Sequence, residues 1–239
     1  MIEWSRKNIA YTVLAGFFIT NAIVAEFIGG KMIKIGGYTV SVGIIPWPFV
    51  FVLTDVINEH FGRKGVRRIT IITAILIVYA YFILQMAIST PIDAINSPVD
   101  QNSFNTVFGT SSLIIVGSVT AFIVSQLLDV TVFWIIRNIT GKKMIWARAT
   151  GSTIVSQLID SYVVTFIAFV LPGILGIHSG SNLYWDIPTW ISISFNNYTV
   201  KLFIAVLITP LIYVVHWIVD WYLGKEVAQE ASPQNSEGS

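Results

Sequence analysis

The sequence predicts an all-α integral membrane protein with six transmembrane helices, both termini cytoplasmic and a proline-interrupted second helix. Three observations carry that expectation. Of 239 residues, 54% are hydrophobic and only 11% charged, against about 25% charged in ordinary soluble domains. Repeated apolar runs approach the roughly 20 residues that cross a hydrocarbon core of about 30 Å. Basic residues recur on alternate connections, as the positive-inside rule requires of one face.

The spans are expected at residues 9–28, 40–58, 69–88, 113–136, 152–175 and 200–219. Together they make residues 1–224 a single six-helix transmembrane domain. The first span follows MIEWSRKN and shows no small-residue cleavage site, so it reads as a retained helix, not a signal peptide. It carries Asn21 and Glu26, and Gly29, Gly30, Gly36 and Gly37 follow as a flexible turn. The stretch 89–112 is polar, with Asp93 and Asp100 and no basic residue. The stretch 178–197 holds Tyr184, Trp185 and Trp190 and reads as interfacial, because Trp and Tyr favour the headgroup level. Trp217, Trp221 and Tyr222 mark the inner belt of the last span, and residues 225–239 form a polar, disordered cytoplasmic tail. Arg6 and Lys7, the loop with Arg63, Lys64, Arg67 and Arg68, the loop with Arg137, Lys142, Lys143 and Arg148, and Lys225 fall on one face. Only Lys31, Lys34 and Lys201 fall on the other, so the first face is cytoplasmic.

Residues 47–62, WPFVFVLTDVINEHFG, concentrate the chemistry. Pro46 and Pro48 flank Trp47, and proline breaks the helical hydrogen-bond ladder. Asp55 and Glu59 are four apart, on one helical face, with Arg63 and Arg67 extending it. Glu59 reads equally as a helix-end partner of Arg63. Asp55, a turn deeper, is costly without a task. A near-repeat, Ser125-Gln126-Leu127-Leu128-Asp129 and Ser156-Gln157-Leu158-Ile159-Asp160, lies in two adjacent antiparallel spans. In each copy Gln and Asp share a face. Counted from the nearest inner basic residue at ~1.5 Å per residue, Asp55 and Asp129 lie roughly 12 Å deep, Asp160 roughly 18 Å and Asn21 roughly 21 Å. Interhelical hydrogen bonds average only about 0.6 kcal/mol, whereas a helix-centre Asp costs about 2.5–3.5 kcal/mol. A polar cavity lined by Asn21, Gln126, Asp129, Gln157 and Asp160, with Asp55 below and Lys201 above, accounts for them better than helix glue. Lys201 also suits a snorkelling interfacial lysine. His216 and Asp220, four apart, read as a helix-end pair, and Pro210 as a kink.

Cysteine is absent and net charge is +1, so disulfides and thiolate metal sites are excluded and nothing points to nucleic acid. No hydrolase, zinc-protease or phosphate-loop motif is present. The expectation is no enzyme, no catalytic residue, no metal and no cofactor.

WPFVFVLTDVINEHFG resembles the F-P-x-x-F-x-x-x-D-x-x-x-E-x-x-G signature of the queuosine-precursor transporter family, also called the vitamin uptake transporter family, with Trp47 in place of Phe. SQLLDVTVFWIIRNITGKKMIWARATGSTIVSQLIDS resembles its second block, and Asn21 and Lys201 fit its pattern. The resemblance implies six helices and uptake of a small-molecule nucleobase analogue, 7-cyano- or 7-aminomethyl-7-deazaguanine, across a bacterial inner membrane. A carboxylate, Asp160 by its depth, would accept the N1–H and amino edge, while Gln126, Gln157, Asn21 or Lys201 would donate to O6. Trp47 or Phe49 would stack on the ring. Asp129 and Glu59 would serve coupling or gating. An ion-coupled secondary transporter and a substrate-binding subunit served by an ATPase module both remain open. Ala15-Gly16 and Ala22-x-x-Ala25 on the first helix could dock such a module. A homodimer is also left open.

Overall fold

A computed structural model describes residues 5–29, 31–109, 112–141, 144–176 and 185–224. The expected tail at 225–239, with Lys225, Lys142, Lys143, His178 and Tyr184, lies outside them. The architecture is helical. Among the described residues, five helices or helical runs are long and apolar enough to cross a membrane: Arg6–Ile28, Val42–Ser89, Ile115–Thr140, Trp146–Leu175 and Ile187–Leu223.

Helix α1, Arg6–Ile28, starts at Ser5, whose hydroxyl accepts the Asn8 N–H. Its buried stripe, Ala10, Leu14, Phe18, Ala22 and Ala25, recurs every three or four residues. Val13, Phe17 and Val24 face outward. The glycine-rich segment expected as a flexible turn is instead an antiparallel hairpin, β1 Met32–Ile35 with β2 Tyr38–Ser41. Ser41 Oγ ties it to α1 by donating to the Gly29 carbonyl at 2.6 Å.

Helix α2 runs Trp47–Ser89, with Pro46 as its N-cap and Pro48 in its first turn. Here the prolines open α2 within the apolar run Val42–Ser89. Proline suits that position because a first-turn N–H has no intrahelical partner to lose. The break lies further on, at Gly62, whose φ of 70° and ψ of −178° are closed to side-chain-bearing residues. A Cβ built on Gly65 would sit 3.6 Å from Ile57 Cγ2, positions that eight residues of straight helix would hold about 12 Å apart. The chain therefore folds back sharply at Gly62, between arms 47–61 and 63–89. Tyr11 marks the corner: its ring packs on Phe61 at 5.1 Å and its hydroxyl donates to the Gly65 carbonyl at 2.9 Å.

Within the polar stretch 89–112 the structure forms a short helix, α3 Gln101–Phe108, capped by Asp100 through the Ser103 N–H and hydroxyl. Those hydrogen bonds hold the exposed Asp100 carboxyl below its usual range. The Gln101 amide bridges back to the Ile88 carbonyl and the Ile92 N–H.

Helix α4 spans Ser112–Thr140 and α5 spans Ile145–Thr165; α5 continues through a π-helical turn, Phe166–Val170, into α6, Leu171–Leu175. Pro172, which cannot donate to the Ala168 carbonyl, follows the widened turn directly. Opposite that turn Gly117 lets α4 approach closely, since a Cβ there would meet Ile167 at 3.2 Å. Helix α7, Ile187–Leu223, starts at Asp186, so residues 187–197 extend the last helix, correcting the expected interfacial loop. Trp190 is held by the α5 end: its indole N–H donates to Thr165 Oγ1 at 3.1 Å, and its ring meets Tyr162 and Phe166 edge-on. Helix α7 continues through Pro210, where the Val206 carbonyl loses its usual N–H partner.

The exterior is apolar. Phe17, Ile75, Phe82, Leu207, Trp217 and Trp221 are all exposed. The interior mixes an apolar core on α1, α2, α4 and α7 with fully buried polar side chains, among them Thr54, Asp55, Asn58, Gln126, Asp129 and Gln157. Exposed apolar and buried polar surface is the distribution expected of a chain whose solvent is lipid.

Candidate functional site

The site is set by Asp55 in the first arm of α2. It is 1% exposed and neither carboxylate oxygen has a hydrogen-bond partner. It borders a small cavity with Phe51, Val52, Ala149, Thr150, Thr153, Ala205, Ile208 and Ile212. One turn up α2, a second cavity is lined by Ile44, Trp47, Pro48, Phe51, Lys201, Ile204 and Ala205. Phe51 and Ala205 belong to both, so the cavities adjoin across that pair. A carboxylate with two free acceptors borders one chamber, and an indole and an ammonium border the other. The carboxylate can accept N–H donors, the ammonium can donate, and the indole offers an aromatic face.

The near-repeats on α4 and α5 meet, but their two carboxylates have different surroundings. Asp129 accepts from Ser156 Oγ at 3.0 Å, while Ser152 Oγ donates to the Ala149 carbonyl. Gln126 Oε1 accepts from Thr54 Oγ1 at 3.1 Å, which joins α4 to α2 one residue before Asp55. Gln157 is buried with Oε1 unpartnered. Asp160 is ion-paired to Lys201 Nζ at 2.6 Å, and both side chains are about a fifth exposed. Glu26 accepts from Ser118 Oγ at 2.6 Å and lies within electrostatic reach of that pair.

The remaining expected residues divide. Trp47 stacks on Phe51 at 6.1 Å and tilts against Phe122. Phe49 is 45% exposed and borders neither cavity, whereas Phe51, the second aromatic of the same signature, borders both. Asn21 Nδ2 donates to the Phe17 carbonyl of its own helix at 2.8 Å. Glu59 does not pair with Arg63. It lies between Arg137 Nη1 at 3.3 Å and Arg148 Nη1 at 3.4 Å. Arg63 sits instead over the Trp134 ring, which Arg137 also covers.

Arg148 is the functional candidate that the sequence hid. It is fully buried, its Nη1 donates to the Gly141 carbonyl, and its Nε and Nη2 have no partner. It lies within electrostatic reach of both Glu59 and Asp55. By position it is one more basic residue after a span, and only the two helix-borne carboxylates near it signal otherwise. His216 likewise pairs across helices with His60, not with Asp220.

The family described as "Putative vitamin uptake transporter" matches residues 41–215. The chain belongs to this queuosine-precursor transporter family. A Bacillus subtilis (strain 168) protein named "Probable queuosine precursor transporter" is 30% identical over 184 residues, covering 77% of this chain and 74% of that protein. A Haemophilus influenzae protein of the same name is 27% identical over 167 residues, covering 70% of this chain and 63% of that protein. No solved structure matches. The residues matched to the vitamin uptake transporter family contain Trp47, Phe51, Asp55, Glu59, both near-repeats, Arg148 and Lys201; Asn21 and Glu26 precede them.

Proposed function

We propose that this protein imports queuosine precursors, 7-cyano- or 7-aminomethyl-7-deazaguanine, across a bacterial inner membrane as a self-sufficient secondary transporter. Family membership and the names of the two bacterial relatives support the class of cargo. The observation that carries the site is Asp55, a buried carboxylate with two free oxygens at a cavity. A deazaguanine presents N1–H and a 2-amino group side by side, and a carboxylate can accept both. Asp160, whose depth first favoured it for that contact, already has Lys201 as its partner. In this reading Asp55 takes the donor edge and Trp47 and Phe51 take the ring face. Gln126, Gln157 and the Asp160–Lys201 pair supply the surrounding polar groups, with Asp129 and Glu59 as coupling or gating carboxylates. In this reading the two arms of α2, separated by the break at Gly62, cross the membrane one after the other, which supports six crossings.

The test is uptake of each labelled base by cells lacking their own importer and any vitamin-transport ATPase module, with the base recovered intact. Uptake in the wild type and its loss with Asp55→Asn at equal membrane abundance is the expected result. Uptake that requires an added ATPase would replace the secondary mechanism with the subunit reading. Absence of uptake for both bases, with the protein inserted, would overturn the function.

A further inference from the structure

A second buried polar cluster lies away from the Asp55 cavity, at the end of the bundle where Gly62 turns α2. His60 Nε2 and His216 Nδ1 face each other at 3.2 Å, joining α2 to α7 across 156 residues of chain. Both side chains are 5% exposed. Two ring nitrogens at that distance need one proton between them, whichever ring carries it. The same His60 Nε2 is 3.7 Å from Asp220 Oδ1, and Asp220 is 55% exposed. The cluster therefore has an exposed carboxylate at one end and a buried imidazole pair at the other. It is chemically suited to take one proton from water.

We propose that His60, His216 and Asp220 form the proton-binding site that couples base transport to a proton gradient. This rests on the transporter reading above and names its coupling ion. The step is a proton transfer alone. A hydronium O–H bond breaks at Asp220 and leaves water, an N–H bond forms on the imidazole pair, the pair goes from neutral to singly positive, and Asp220 supplies the nearby counter-charge. Free imidazole exchanges a proton near neutral pH, and the Asp220 and Glu59 carboxylates face His60 and favour the charge the pair gains. The charged groups facing the pair come from every side: Asp220 from α7, Glu59 from α2 and Arg137 from α4 toward His60, and Arg148 from α5 toward His216. Glu59 and Arg148 also reach Asp55 electrostatically. A charge change at the histidines is thus felt by the groups that surround the empty acceptor. His216 is also one helical turn from Ile212, which lines the Asp55 cavity.

The test uses the full chain in phosphatidylethanolamine–phosphatidylglycerol vesicles with labelled 7-cyano-7-deazaguanine, whose neutral nitrile keeps cargo charge out of the readout. Two quantities are read: exchange of base with no gradient, and accumulation driven by an imposed pH gradient, with a lumenal dye reporting proton entry. Wild type shows both, and adding base moves protons. His60→Asn and His216→Gln are expected to keep exchange and lose gradient-driven accumulation and proton entry. Asp220→Asn, at the exposed end, is expected to shift the pH dependence of accumulation and leave exchange intact. Full accumulation in both histidine variants overturns the proposal. Loss of exchange in both, with an unshifted pH dependence in Asp220→Asn, makes the pair a helix clamp and also overturns it. Wild-type exchange without any proton entry overturns proton coupling but leaves the transporter reading standing. No wild-type exchange at all sinks both.

Discussion

At the scale of residues, the decisive difference is which carboxylates already have partners. Asp129 has the Ser156 hydroxyl as donor and Asp160 has an ammonium at 2.6 Å, whereas Asp55 has no hydrogen-bond partner among the described residues. A hydrogen bond to a charged group contributes roughly 1.5–3 kcal/mol. Asp55→Asn should therefore weaken base binding about ten- to hundredfold in calorimetry. A base lacking the 2-amino group should lose less affinity in the variant than in wild type. Wild-type affinity in Asp55→Asn would return the contact to Asp160. The ion pair makes its own prediction. Lys201→Met leaves Asp160 without its partner, whereas Lys201→Met combined with Asp160→Asn removes both charges. Breaking one side of a shielded pair costs more than replacing both, so the double variant should melt above Lys201→Met, and a lower melting temperature would contradict the pairing. The three aspartates were legible in the sequence because a carboxylate stands out in an apolar run. Arg148 was not, since a basic residue next to a span normally serves the positive-inside rule. Its burial depends on Glu59, 89 positions earlier, being brought within 3.4 Å. Phe51, by contrast, was legible: it is the second aromatic of the signature and lies four residues from Trp47, on the same helical face, where Phe49 does not.

At the scale of elements, the sequence marked where spans begin and end better than how they connect. Proline at 46 and 48 and glycine at 62 are both punctuation, but their jobs were reversed: the prolines start a helix and the glycine turns it. Residues 187–197 look interfacial because Trp185 and Trp190 are amphipathic, yet Trp190 spends its N–H on Thr165. Nothing local to those residues reports that partner. The corner at Gly62 is open to a direct test. No atom lies within 4 Å of a Cβ built there, so the obstacle is backbone conformation and not space. Gly62→Ala should lower the melting temperature, by an amount matching a penalty of about 1–3 kcal/mol for a sparsely populated backbone region. Gly16→Ala, in open space on α1 without such a φ, is the control and should leave stability unchanged or raised. Equal effects at the two positions would mean that the corner is not strained.

At the scale of the whole molecule, one end of the bundle gathers the charges. Tyr11 of α1 reaches Gly65, Glu59 of α2 meets Arg137 of α4 and Arg148 of α5, and His60 meets His216 of α7. Those contacts place the start of α1, the Gly62 corner, the α4–α5 turn and the last turns of α7 at a common end. The exposed Arg63, Lys64, Arg67 and Arg68 belong to that end too. The α3 segment, with Asp93 and Asp100, follows the far end of α2, roughly 40 Å of helix away from Gly62 if straight. Cytoplasmic loops collect Lys and Arg, so the charged end should face the cytoplasm and α3 the exterior. Because the chain contains no cysteine, any introduced thiol is unique. Asn102, exposed on α3, and Lys64, exposed beside the corner, are the positions to use. In intact cells a membrane-impermeant maleimide should label Asn102→Cys, while Lys64→Cys should label only after permeabilisation. The opposite pattern would invert the orientation and turn the proposed uptake into export under the same gradient. Labelling of both in intact cells would place Gly62 and α3 on one side, a result incompatible with arm 63–89 crossing the membrane and hence with six crossings.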